Sequence, residues 1–135
     1  MLVLENKRIF LVEDDVNNRA IAQLLLEQQG AMVAFERWGI ATIQRLQKFM
    51  PVDAILMDLN LPNGITGYDV FTTIRSHPEF EAIPIIAVSA SNPTEAVPRT
   101  KAMGFSGFIG KPVRFDVFPR QVAEILEGKP VWQVV

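Results

Sequence analysis

Cysteine is absent from the 135 residues, which excludes disulfides and thiolate metal sites. The absence fits a reducing compartment. Basic residues are not in excess: 13 Lys and Arg face 15 Asp and Glu, a net charge of −2. That balance gives no footing for non-specific nucleic-acid binding, which needs a basic surface. Neither GxGxxG nor GxxxxGK[ST] occurs, so a nucleotide-binding reading has no motif behind it. No apolar run approaches the roughly 18 residues of a membrane span. The opening MLVLENKRIFLVEDD is too charged, and its apolar part too short, for a signal peptide. The expectation is a cytoplasmic protein with no membrane partner.

What is present is an ordinary globular composition, 49% hydrophobic and 21% charged, in a length that suits one domain with one sizeable core. Apolar runs that read as strands alternate with segments of helical spacing. The strands are Arg8 to Val12, Ala31 to Phe35, Asp53 to Asp58, Ile83 to Ala90 and a short one around Phe108 and Ile109. The first helix follows Asp15, with Ile21, Leu24, Leu25 and Gln28 at helical spacing, Asp15 or Asn17 as cap and Gly30 as its end. The second carries Ile40, Ile43, Leu46 and Met50 on one face and stops at Pro51; the third turns Val70, Phe71 and Ile74 inward. Pro93 and Pro98 predict a fourth helix that is short or begins near Pro98, because an interior proline costs about 3 kcal/mol. The last helix runs from an Asp116 cap with Pro119 in its first turn, and Phe118, Val122, Ile125 and Leu126 inward. Five alternations with short connections imply an α/β fold, a doubly wound parallel sheet with helices on both faces. The second strand ends blandly at Phe35, which suits a sheet edge.

Ligand sites in such sheets lie beyond the carboxyl ends of the strands. Glu13, Asp14 and Asp15 end the first strand, and Asp58 ends the third, in AILMDLNLP. Ser89 ends the fourth, and the fifth leads to Lys111 and Pro112. Each residue alone is ordinary: an Asp there is usually a turn or helix cap, a Ser a turn residue, a Lys-Pro surface. Together they make a chemistry. Neighbouring carboxylates repel, and a hard divalent cation such as Mg2+ removes the conflict while leaving room for water and phosphate. With a lysine and a hydroxyl, the set suits a phosphoryl group on an aspartate nucleophile.

These motifs, FLVEDD, AILMDLNLP, GYDV, IPIIAVSA and FIGKP, resemble the receiver domain of two-component response regulators over roughly Lys7 to Glu127. Asp14 precedes Asp58 by 44 residues and Lys111 follows it by 53, as the family pattern requires with one extra residue in LPNGITGY. The resemblance implies a flavodoxin-like sheet of order 2-1-3-4-5 and a receiver domain over 1–127, with 128–135 as a tail. It implies Asp58 as phosphoacceptor, Asp14 on Mg2+ directly and Glu13 through water, and the Asn60 carbonyl as a further ligand. Asp15 is then left to cap the first helix. Ser89 becomes the hydroxyl that moves toward the phosphoryl group, and Lys111 the family lysine, whose bond to Pro112 is often cis in the family. Phe108 stands where receivers carry a switch aromatic; without a hydroxyl it must work by packing.

The implied activity is that of a phosphorelay acceptor rather than an enzyme. A histidine kinase or histidine phosphotransfer protein supplies the phosphoryl group, and an output protein reads the result; homodimer formation stays open. The only histidine, His77, precedes Pro78 at a helix end, where a capping or surface role is expected, so the chain does not donate to itself. Two alternatives stand beside this. An aspartate-nucleophile phosphohydrolase fits DLN loosely, but its second acid is Asn60 and no cap domain fits in the length. A phosphorylation-independent interaction module would have no need of Glu13, Asp14, Asp58, Ser89 and Lys111. The tail, with Val131, Trp132, Val134 and Val135, reads as a linker or, more sharply, as an apolar strand or hook onto a partner.

Overall fold

The computed structural model of the chain describes residues 2–132. Strands β1 (Arg8–Val12), β2 (Met32–Glu36), β3 (Ala54–Met57), β4 (Ile85–Ser89) and β5 (Gly107–Gly110) alternate with helices α1 (Val16–Gln28), α2 (Thr42–Phe49), α3 (Gly67–Arg75), α4 (Pro93–Met103) and α5 (Phe118–Leu126). The strands form one parallel sheet of order β2-β1-β3-β4-β5, the doubly wound α/β arrangement expected.

The central strands read as unbroken apolar runs because both of their faces are buried. Their side chains sort with period two. Phe10, Val12, Ile55, Met57, Ile85 and Ala87 point into one core with Leu46, Val70, Phe71, Ile74 and Ala96, under α2, α3 and α4. Ile9, Leu11, Ala54, Leu56, Ile86 and Val88 point into the other, with Leu25, Leu26, Phe118, Val122 and Ile125 of α1 and α5. Each fully buried Leu, Ile or Phe contributes about 1.5–3 kcal/mol, so the sheet is gripped from both sides and its strand ends are held firmly in place.

Several details differ from the sequence reading. Helix α4 starts at Pro93, not near Pro98. Asn92 caps it, accepting from the Thr94 amide at 3.0 Å, and Pro93 lies in the first turn, where no N–H is needed. Pro98 removes one internal hydrogen bond, and the buried side chains of Ala96, Val97 and Thr100 hold the helix through it. Asp116 does not cap α5; the helix begins at Phe118, and Asp116 lies 3.5 Å from Arg114 in solvent. In α1 the buried pair is Leu25 and Leu26, with Leu24 outward, while Asp15 caps the helix as expected, accepting from the Asn18 amide at 2.8 Å. Ile40 and Met50 fall outside α2 and are exposed. Strand β2 runs one residue past Phe35, and that residue, Glu36, is buried. A 3-10 turn, Pro78–Phe80, follows α3, and His77 sits before it with Nδ1 3.0 Å from the Thr73 carbonyl oxygen, the capping position expected.

The described part of the tail, through Trp132, packs on the fold. Val131 and Trp132 lie beside β5 of the same chain, where Phe108 and Trp132 form a parallel bridge. Val134 and Val135 lie outside the described residues.

Candidate phosphoryl and cation site

Three strands deliver the acids and the lysine to one point. Glu13 and Asp14 leave β1, Asp58 leaves β3, and Lys111 follows β5. The register aligns these ends: Val12 pairs with Met57, and the Asp58 amide donates to the Val12 carbonyl at 3.0 Å. One carboxylate oxygen from each of Glu13, Asp14 and Asp58 lies within 4.8 Å of the others. Lys111 Nζ is ion-paired with Glu13 and lies 3.3 Å from Asp58 Oδ2. Asp58 is only 6% exposed and Glu13 8%, whereas Asp14 is half-buried. A shallow cleft of ≈ 60 Å³ opens beside Glu13 and Lys111, with Phe115, 65% exposed, on its rim.

Burial raises the Glu13 carboxyl to about pH 7. Pairing with Lys111 works against this and the neighbouring Asp58 adds to it, but loss of solvent is the largest influence. A small divalent cation fits such a donor set. The oxygens are hard, they converge, and their mutual repulsion has one lysine to offset it.

Local structure fixes Asp58 from below and beside. Its Oδ1 accepts from the Asn60 amide at 3.2 Å, an Asx-type turn that bends the chain away from β3. The loop after Pro62 closes on itself: Asn63 and Gly64 adopt positive φ, and Asn60 bridges back to Thr66. Thr66 begins α3 with a capping box, exchanging hydrogen bonds with Asp69. Gly67 then packs directly on the Asp58 carbonyl and donates its amide to the Leu59 carbonyl at 2.9 Å; a Cβ there would run into Asp58.

Ser89, buried at the end of β4, stands near this cluster with its hydroxyl turned to Ser91. Ser89 Oγ donates to Ser91 Oγ at 2.9 Å and accepts from the Ser91 amide at 3.1 Å, and Asn60 Nδ2 reaches Ser91 Oγ at 2.8 Å. The Lys111 amide donates to the Ser89 carbonyl at 2.9 Å, so β4 and β5 deliver serine and lysine as one unit. The Lys111–Pro112 bond is cis. Phe108 is fully buried, in the core under α3 and α4.

The structure thus brings Glu13, Asp14, Asp58 and Lys111 together and sets Asn60 and Ser89 at the rim, joined through Ser91. Three contributors escaped the sequence reading. Ser91 and Gly67 carry no signal as single residues, although Gly67 opens the quoted GYDV. Glu36 had one: like β1, β2 is an apolar run ending on an acid. Glu36 accepts from the amides of Trp38 (3.1 Å) and Gly39 and from the Thr42 hydroxyl (3.2 Å), clasping the β2–α2 loop. Its carbonyl receives the Glu13 amide at 3.1 Å, so the edge strand helps hold the acidic end of β1.

Known proteins resemble the chain over most of its length. A family model described as the response regulator receiver domain matches residues 9–123. The chain is 35% identical over 130 residues to the sensor histidine kinase AruS of Pseudomonas aeruginosa, covering 93% of this chain but 13% of that protein. It is 28% identical to the polar-differentiation response regulator DivK of Brucella ovis, covering 89% of this chain and 96% of DivK. The fold superposes on the chemotaxis response regulator CheY4 of Vibrio cholerae with a TM-score of 0.80, at 22% identity, covering 89% and 98% of the two chains.

Proposed function

Since the chain belongs to the response regulator receiver domain family of two-component signalling, we propose that Asp58 is its phosphoacceptor and that a histidine kinase or histidine phosphotransfer protein is the donor. In the transfer, an Asp58 carboxylate oxygen attacks phosphorus. The P–N bond to the donor imidazole breaks, and its electron pair stays on the imidazole nitrogen. The product is an acyl phosphate on Asp58. The convergence of three carboxylates and Lys111 at the ends of β1, β3 and β5 carries this reading.

Glu13, Asp14, Asp58 and the Asn60 carbonyl would hold Mg2+. When bound, the ion neutralises charge building on the phosphoryl oxygens. Lys111 already lies 3.3 Å from Asp58 and would exchange that carboxylate for a phosphoryl oxygen. Ser89 exchanges Ser91 for a phosphoryl oxygen, drawing the end of β4 toward Asp58, and Phe108 repacks behind it. Phe115, exposed beside the cleft, offers an apolar contact to the donor protein. The chain acts in the cytoplasm as a regulatory acceptor, and an output protein reads the changed surface.

Incubation with Mg2+ and acetyl phosphate, followed by intact mass, tests the assignment. One phosphoryl adduct is expected on wild type and none on Asp58→Asn. Absence of an adduct on wild type, or its persistence on the variant, overturns it.

A further inference from the structure

We propose that Gly128–Trp132 forms a displaceable strap on β5, and that phosphorylation of Asp58 loosens it. The inference rests on the phosphoacceptor reading of Asp58.

The two edges of the sheet differ. On β2, Met32 is exposed and the next three residues are half-buried. On β5, Gly107, Phe108 and Ile109 are all buried. The segment after α5 makes part of that difference. The chain turns at Gly128, whose φ of 87° is the left-handed geometry that ends helices, and the Lys129 amide returns to the Glu124 carbonyl at 2.9 Å. Past Pro130, the Val131 carbonyl accepts from the Phe108 amide at 2.9 Å, and Trp132 bridges Phe108 in parallel register. The side chains alternate as in a strand. Val131 packs on the core under α1 and α5, and Trp132 on the opposite core, where Lys101 of α4 sits 5.0 Å from the ring centre. Gly107 lets this approach happen, since a Cβ there would meet the Val131 carbonyl oxygen and Ile125. The strap is therefore an incipient sixth strand.

Its attachment is uneven. Covalently it belongs to α5 through Gly128. Non-covalently it is held by the backbone of Phe108, by Val131 and Trp132 on the two cores and by Lys101 of α4 at the Trp132 ring. Strand β5 in turn follows β4: Ser89 is in register with Gly110, and the Lys111 amide is bonded to the Ser89 carbonyl. A phosphoryl group that draws Ser89 and Lys111 toward Asp58 moves β5 toward β4 and away from a segment anchored elsewhere. Among the described residues the strap meets β5 through one backbone bond, from the Phe108 amide to the Val131 carbonyl, and its two apolar side chains are half-buried, features of an element that opens locally before the rest of a fold. The signal at Asp58 then appears as an uncovered β5 edge.

Trp132 is itself the reporter, because the chain has only one other tryptophan, the exposed Trp38. In a Trp38→Phe background, fluorescence is followed with Mg2+ and acetyl phosphate while intact mass records the adduct. Red-shifted emission and stronger iodide quenching are expected in step with the adduct, and no change in Asp58→Asn. The coupling must also run in reverse. Val131→Asp, which frees the strap without shortening the chain, and a chain ending at Glu127 should both bind beryllium fluoride with Mg2+ several-fold more tightly than wild type. An adduct with unmoved Trp132 emission, or unchanged beryllium fluoride affinity in both variants, overturns the strap alone. Absence of any adduct overturns the phosphoacceptor reading and the strap with it.

Discussion

Asn60 and Ser89, on different strands' ends, are joined by a single intermediary. Asn60 Nδ2 donates to Ser91 Oγ at 2.8 Å, and Ser89 Oγ donates to the same atom at 2.9 Å. The hydroxyl proposed to hydrogen-bond a phosphoryl oxygen is thus already engaged, and it has to leave Ser91 before it can serve the phosphoryl group on Asp58. Removing the Ser91 hydroxyl removes that competitor while the Ser91 amide still holds Ser89. Ser91→Ala should therefore fold normally and retain the acyl phosphate longer, by about 2–10-fold, the worth of one hydrogen bond. Ser89→Ala should shorten its lifetime. Decay of the adduct by intact mass after removal of acetyl phosphate distinguishes the two, and equal lifetimes in all three proteins would remove Ser89 from the mechanism.

Gly67 is a second lever on Asp58, through backbone alone. An Ala there meets the Asp58 carbonyl and Cα of Leu59, neither of which is the flexible end of a side chain. Gly67→Ala should cost about 1–3 kcal/mol by overpacking. It should also reduce labelling by acetyl phosphate at temperatures where the variant remains folded, because relief of the clash displaces the acceptor. Denaturant unfolding and labelling on the same preparation separate the effects. A destabilised variant that labels at the wild-type rate would limit Gly67 to packing.

Most of the fold was legible in the sequence, and the reason is physical. Buried parallel strands must be apolar throughout, so Ile55–Met57 and Ile85–Val88 announce themselves, and an acid at the end of such a run has to be explained by a site. The helix boundaries were less legible because caps compete. Asp116 looks as good a cap as Asp15, but burial of Phe118 and Pro119 sets where α5 starts. In α4, Pro93 occupies the one turn where proline costs little, and tertiary burial carries the helix past Pro98. At the site, Glu13, Asp14, Asp58 and Lys111 are legible as charges at strand ends, whereas Glu36, Gly67 and Ser91 act through loop amides, backbone or a second hydrogen bond and are not. Gly67 and Ser91 matter only through neighbours distant in sequence. The tail shows the same limit, since its partner is an edge 23–24 residues earlier in the chain.

Glu13 gives the site a pH dependence whose sign follows from its burial. Its carboxyl titrates near 7 in the folded protein against an ordinary 4.5. Between those values the folded protein holds a proton that the unfolded chain has lost. Stability is therefore greatest below about 4.5, as far as this group decides, and falls as pH rises through 7. Lys111 and Asp58 face the same carboxyl and partly oppose one another. In EDTA, Glu13→Gln should abolish this component of the slope and melt about 4 °C above wild type at pH 8, where wild type carries the buried charge. Mg2+ should narrow the gap by stabilising wild type. A Glu13→Gln melting curve parallel to wild type from pH 5 to 8 would mean that Glu13 stays ionised throughout.

Lys111 separates cation binding from phosphoryl chemistry. Its ammonium contacts both Glu13 and Asp58 and so occupies part of the field a metal would use. Lys111→Ala removes a like charge from beside the ion and should tighten Mg2+ binding about tenfold, equivalent to about 1.4 kcal/mol. The same change removes the cation proposed to meet a phosphoryl oxygen, so the acyl phosphate should form more slowly although more Mg2+ is bound. Lys111→Arg keeps the charge with a different reach and should leave Mg2+ affinity near wild type while still impairing labelling. Calorimetric titration with Mg2+, set beside acetyl phosphate labelling at saturating Mg2+, gives both quantities on one preparation. Opposite movements in Lys111→Ala identify a lysine whose place is at the phosphoryl group. Parallel loss of metal and labelling would instead make Lys111 a structural counter-ion for buried acids, since without it Glu13 and Asp58 would no longer hold the geometry that a metal requires.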